Sequence, residues 1–213
     1  MLNTTKTRLL PFFLWGIILF AFASCNSAGL QSGDLLFVGS VDSDLSEAID
    51  QVTKTDANTS FSHMGIVQIN NNEIWVLHAS PEQGVVKESL ANFRTNNAPD
   101  GAELIGYRIN GLTTEERTVL LQQAEPLLGQ PYNWTYVLED EGYYCSEFVY
   151  TVFESAAIFT LEPMTFKDPA TDSFPATWIK HYEDLNQPIP EGLPGCNPNG
   201  MASNSRLQLL GTF

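Results

Sequence analysis

Three side chains in this sequence have the chemistry for nucleophilic catalysis: Cys145, His63 and His78. Cys145 opens a stretch with apolar residues at 145, 148, 149, 152, 153 and 156. That 3.6-residue repeat predicts a helix from Cys145 to Ala156. A thiol at a helix N-terminus meets unpaired backbone N–H groups and the positive end of the dipole. Both favour the nucleophilic thiolate, and the same amides can hold an oxyanion. The competing reading is a buried core cysteine, because Cys145 also lies on the apolar stripe. Glu139, Asp140 and Glu141 would oppose ionisation if they came close.

A nucleophilic thiol needs a base, and the candidates are His63, His78 and His181. His63 to Ile69 and Ile74 to Ala79 read as two strands with Asn70-Asn71-Asn72 between them. Asn tolerates the positive φ of a tight hairpin turn. With a two-residue Asn71-Asn72 turn, Asn70 opposes Glu73 and Gly65 faces His78. His63 and His78 then share a face as diagonal neighbours, with backbones about 7–8 Å apart. A three-residue turn would send them to opposite faces. Considered singly, each histidine reads equally well as an ordinary sheet residue.

The same three residues have the types of a catalytic zinc site. No close-spaced ligand pair supports that, so no metal or other cofactor is expected. No G-x-S-x-G elbow, P-loop or dinucleotide fingerprint occurs. Cys196 lies in a Gly/Pro-rich stretch and is expected to be free, since pairing with Cys145 would block the nucleophile.

The elements that must position these residues read as α+β. Leu35 to Val38 is a short buried strand, and Asp44 to Val52 has helical spacing. Gly84 to Val86 and Glu103 to Ile109 are further strands. Thr113 and Glu116 form a capping box for a helix running to about Leu128. Pro175 to Tyr182 is a last helix, and residues 187–200 are rich in Pro, Gly and Asn. The expected organisation is one domain over 33–185 and an irregular extension over 186–213.

The chain has 213 residues, 10 Lys+Arg against 25 Asp+Glu, and a net charge of −15. That balance argues against a nucleic-acid partner, which needs a basic footprint. Lys6 and Arg8 precede a nearly unbroken apolar run from Leu9 to Ala23, followed by Ser24-Cys25. The run is short for a membrane span and has the layout of an export signal. Residues 1–24 are therefore expected to be a signal peptide, and 25–32 a tether. Phe22-Ala23-Ser24-Cys25 resembles the lipobox of bacterial lipoproteins, with Phe22 and Ser24 departing from the commonest pattern. That resemblance implies lipidation of Cys25, a membrane contact through the lipid anchor, and a place in the cell envelope, on the periplasmic side or at the outer membrane.

Several segments in order carry a second resemblance: Gly33-Asp34-Leu35-Leu36-Phe37, Ser62-His63-Met64-Gly65-Ile66-Val67 and Val76-Leu77-His78-Ala79, then Gly129-Gln130-Pro131-Tyr132-Asn133-Trp134 and Tyr143-Tyr144-Cys145-Ser146-Glu147-Phe148. They resemble the YiiX-like cysteine hydrolases, the circularly permuted branch of the NlpC-type papain-like fold. The resemblance implies a central antiparallel sheet with the nucleophile-bearing helix packed on it. It also implies Cys145 as nucleophile, His63 as base and His78 as the residue that orients the base. Permuted relatives often have Glu at that third position. Tyr132 is implied as lining the substrate site, and Asp34, at the family's opening strand, as either a substrate-binding or a structural residue. The implied reaction is hydrolysis of an amide in a cell-wall peptide or an N-acyl amino acid through a thioacyl intermediate. Acyl transfer, lipid hydrolysis and a non-catalytic binding role are the alternatives.

Overall fold

A computed structural model describes residues 29–40, 43–53, 55, 59–98 and 101–213. The expected signal peptide, Cys25 and the first part of the tether lie outside the described residues. Among the described residues, no helix is long and apolar enough to cross a membrane.

The first apolar run forms an inner strand, β1 (Leu35–Gly39), buried from Leu35 to Val38. It pairs antiparallel with β2 (Phe61–Asn70) on one side and β5 (Leu104–Ile109) on the other. Beyond β2 lie β3 (Glu73–Ser80) and β4 (Gly84–Ser89). Beyond β5 lies β8 (Leu207–Thr212), giving the order β4-β3-β2-β1-β5-β8. Every pairing is antiparallel. This is the α+β architecture with a central antiparallel sheet.

The β2–β3 hairpin turns on two residues. Asn71 and Asn72 have φ of +50° and +64°, and Asn70 pairs with Glu73. Positive φ at both central positions matches the twist of the flanking strands. The side-chain period of two then fixes which residues share a face.

One face buries Leu35, Phe37, Met64, Ile66 and Leu77 beneath α4 (Cys145–Phe153). This larger core also takes side chains from α1 (Asp44–Thr53), α3 (Thr114–Ala124), α5 (Ala176–Leu185) and α6 (Pro198–Ala202). The other face buries Leu36, Val38, Val67 and Val76 with Phe93 of α2 (Leu90–Asn97). The α3 capping box forms as read: Glu116 N–H donates to Thr113 Oγ1 (3.2 Å) and Thr113 N–H to Glu116 Oε2 (2.8 Å).

Two features differ from the sequence reading. Helix α2 carries no apolar stripe and rests on one buried side chain, Phe93, so periodicity does not reveal it. Its start is set locally, by Ser89 Oγ accepting the Asn92 N–H at 3.2 Å. The second difference is a correction: residues 186–213 are not an irregular extension. Within them β7 (Pro194–Gly195) pairs with β6 (Glu162–Pro163), α6 is capped by Asn197, and β8 completes the main sheet. The turn-rich composition there is real. However, β8 is a half-exposed edge strand without apolar alternation, and the periodicity criterion misses such a strand.

Candidate active site

Helix α4 begins at Cys145, with Tyr144 as its extended N-cap residue. Glu147 holds this start in place: its Oε2 accepts the Tyr144 N–H and an Asn133 Nδ2–H, each at 3.1 Å. The Cys145 thiol is buried, with the residue 6% exposed. Backbone N–H groups of Ser146, Met64 and Cys145 itself point at the sulfur. They do not produce the thiolate expected at a helix N-terminus. Burial outweighs them and pushes the thiol up to about 11. The thiol is therefore protonated near pH 7, and any attack by the sulfur needs a group to take its proton.

The Met64 amide shows how sulfur and sheet meet. β2 pairs with β1 as far back as Phe61, whereas its pairing with β3 runs only from Ile66 to Asn70. Below Ile66 the strands part, and the N–H of the peptide joining His63 to Met64 serves the thiol instead.

His63 and His78 stand together on the α2 face, as the two-residue turn requires. His63 Nε2 lies 2.9 Å from His78 Nδ1, with the rings nearly perpendicular at 86°. The contacts continue: His78 Nε2 is 2.8 Å from Glu88 Oε1, and Asn96 Nδ2 donates to Glu88 Oε2 at 2.6 Å. Phe93 packs on both imidazoles, with ring centroids 5.9 and 4.9 Å away. Burial, followed by the neighbouring His78, holds His63 well below the ordinary histidine range. Burial alone lowers His78 to about 4. Both rings are neutral near pH 7. The nitrogen that His63 does not share with His78 is Nδ1, the one left for a reaction partner.

Glu88 is absent from the sequence reading. That reading ends the strand at Val86, but β4 continues to Ser89. Val86 pairs with His78 and Glu88 with Val76, so Glu88 falls on the histidine face one diagonal step away. A longer strand with the same alternation would have exposed the signal.

Gly65 is required by close approach rather than by its backbone angle. A Cβ there would lie 2.6 Å from Val76 Cγ1 and 3.1 Å from His78 Cβ. Gly65→Ala is expected to push His78 off His63, lower kcat at least tenfold and destabilise the fold by about 1–3 kcal/mol. Parallel kinetics and urea unfolding check it. Unchanged kcat would show that the two histidines tolerate separation.

A cavity of about 490 Å³ opens on the α4 face, lined by Cys145, Tyr132, Tyr136 and Tyr144. The chain after Ile158 supplies its far wall, including Phe159, Met164, Phe166, Trp178 and Met201. Among the described residues, its lining contains one acid, Glu162, and no Lys, Arg or His. Tyr132 therefore stands where the resemblance implies, beside the thiol.

For Asp34 the surroundings favour the structural alternative over substrate binding. It is fully buried at the start of β1 and takes no part in lining the cavity. Arg108 reaches both of its oxygens, Nε to Oδ1 at 2.9 Å and Nη2 to Oδ2 at 2.7 Å. The Gln31 N–H donates at 2.7 Å, and Arg117 Nη1 lies 3.7 Å away. Asp34 is a clamp joining β1, β5 and α3.

The other candidates are accounted for. His181 is engaged with the Trp134 carbonyl at 2.8 Å. Cys196 is free and buried, lining the same cavity as Cys145. Among the described residues, no group of three His, Cys, Asp or Glu is placed to hold a metal ion.

Comparison with known proteins agrees with this geometry. Residues 29–211 match the family described as permuted papain-like amidase enzyme, YaeF/YiiX, C92 family. The uncharacterized protein YiiX of Escherichia coli (strain K12) is 32% identical over 126 residues, 59% of this chain and 58% of that protein. The chain thus aligns with little more than half of that relative's length. A crystal structure of the metalloprotein yiiX from Escherichia coli O157:H7 superposes with a TM-score of 0.70 at 24% identity, covering 86% of this chain and 97% of that one. This likeness supports the fold. The chain belongs to the permuted papain-like amidases of the YaeF/YiiX family.

Proposed function

We propose that this hydrolase cleaves an amide through a thioacyl-enzyme, with Cys145 as nucleophile, His63 as general base and His78 orienting His63. The observation that carries the reading is a protonated thiol that draws the N–H of the His63–Met64 peptide, so that the strand bearing a neutral His63 meets it at the edge of a largely apolar cavity. His63 Nδ1 takes the thiol proton as sulfur attacks the carbonyl carbon. The amides of Cys145 and Met64 already converge on the sulfur and supply donors for the oxyanion. Collapse of the tetrahedral intermediate breaks the C–N bond, and His63 returns the proton to the leaving amine. Water, deprotonated by His63, then releases the acid and restores the thiol.

The cavity favours an acyl substrate over a charged peptide. Its aromatic and methionine lining suits an alkyl chain, and among the described residues it has no basic group to pair with a carboxylate. The scissile amide then lies at Cys145 with its acyl part inside and its amine outside. The chain's net charge of −15 suits release of a cationic amine. An export signal and lipidated Cys25 would hold the domain at a membrane in the cell envelope, where such amides partition. The same lining leaves an ester or acyl-transfer reaction as the second reading.

Intact mass after mixing with N-acyl amides of increasing chain length tests this. The expected result is a transient adduct on Cys145 equal in mass to the acyl group, formed faster with longer chains. Turnover of unacylated stem peptides with no dependence on chain length would favour the cell-wall reading. Fatty acid release from phospholipid without amide turnover would favour the lipid hydrolase.

A further inference from the structure

The chain of contacts behind His63 has a direction. We infer that Glu88 is a positioning residue that fixes the tautomers of both histidines, so that His63 Nδ1 is always the bare, proton-accepting nitrogen. The inference deepens the proposed role of His63 as base and rests on it.

A carboxylate can only accept hydrogen bonds. His78 Nε2, 2.8 Å from Glu88 Oε1, must therefore carry the single proton of a neutral ring. That leaves His78 Nδ1 bare. Its contact with His63 Nε2 at 2.9 Å then requires the proton on His63 Nε2. His63 Nδ1 is bare in turn, as a general base must be. Asn96 holds the far end of the chain by donating to Glu88 Oε2 at 2.6 Å. Glu88 is only 9% exposed, so water does not readily substitute for it. The other charged group bearing on His63 is Glu82.

Without Glu88 the opposite arrangement becomes equally good. His78 would carry its proton on Nδ1 and donate to His63 Nε2. His63 would then carry its own proton on Nδ1 and could not take one from the thiol there. In serine-protease triads, loss of the carboxylate that sets the histidine tautomer costs about 10⁴-fold in kcat. Glu88 acts one residue further back, where outer partners of a histidine cost about 10–100-fold.

The test is ring-nitrogen NMR of the full chain labelled with ¹⁵N-histidine, near pH 7 and without substrate, with His63→Gln assigning the signals. Wild type should show Nε2–H at both His63 and His78. Glu88→Ala should lose that single pattern and lower kcat about 10–100-fold with KM nearly unchanged. Glu88→Gln can accept the same proton through its amide oxygen once the Asn96 amide turns over. It should restore the tautomers and most of the kcat. Nδ1–H at either ring in wild type, or an unaltered pattern in Glu88→Ala, would overturn the inference. Should Glu88→Ala not fold, the wild-type and Glu88→Gln spectra decide alone. Because the tautomers are read without turnover, failure to hydrolyse any amide would sink the proposed function while leaving this inference standing.

Discussion

Cys145→Ala is expected to fold normally and to lose hydrolysis by at least about 10⁴-fold. The two halves of that expectation have separate causes. Position 145 belongs to a buried apolar stripe on α4, and alanine is the best helix former, so the substitution keeps both the packing face and the local propensity. It removes one sulfur atom and leaves three N–H groups without that acceptor, a cost of about 1–2 kcal/mol. What disappears is the atom that forms the acyl bond, and no neighbour can replace it. Ser146 is the nearest hydroxyl in sequence, and it is committed to the Cys196 carbonyl at 3.0 Å. Cys145→Ser should be nearly as inactive, because a hydroxyl is far harder to deprotonate than a thiol. Thermal unfolding by circular dichroism and kcat/KM on one amide give the comparison. Full activity in a folded Cys145→Ala protein would refute cysteine catalysis outright.

Replacing the base should rank second. His63→Gln is expected to lower kcat/KM about 10³-fold near pH 7. The pH profile of the wild type carries more information than the variant. The reactive form has a neutral His63 and a protonated Cys145. Activity should fall only when acid protonates His63, and burial places that event well below the ordinary value of 6.5. On the alkaline side the thiol itself ionises at about 11. kcat/KM should therefore be flat from about pH 6 to 9, whereas an unperturbed histidine would halve it near pH 6.5. Alkylation by iodoacetamide should rise steadily with pH over the same range, since it follows the thiolate fraction. A preformed thiolate–imidazolium pair predicts the contrary, rapid alkylation already at pH 6 that levels off. Such a plateau, lost in His63→Ala, would show that the two groups exchange their proton in the resting enzyme.

Much of the positioning could be read from local rules. The nucleophile's helix follows from a 3.6-residue repeat. The meeting of His63 with His78 follows from a period of two and a turn of two asparagines. Both are short-range statements, and both describe the molecule. What escaped depends on distance along the chain or on the dielectric surroundings. Glu88 required the length of β4, which a short apolar run does not give. Asp34 stayed open between a structural and a substrate-binding role because its two arginines come from β5 and α3, over 70 residues away. The thiol's protonation stayed open because a helix N-terminus is visible in sequence, while the burial that outweighs it belongs to the assembled core. The cavity's far wall, built after Ile158, likewise has no signature of its own.

The two faces of the sheet have a consequence for how such an enzyme can diversify. The histidines and Glu88 lie with Phe93 on one face, and the cavity lies on the other. Cys145 borders the cavity and draws an amide from the parted edge of β2, so it is the junction between them. A mutation at Phe159, Met164 or Met201 alters what fits without reaching the proton carriers through a layer of backbone. Under the proposed function, selectivity and chemistry are thereby insulated from each other, and the cavity's far wall is free to drift while the histidine face stays fixed.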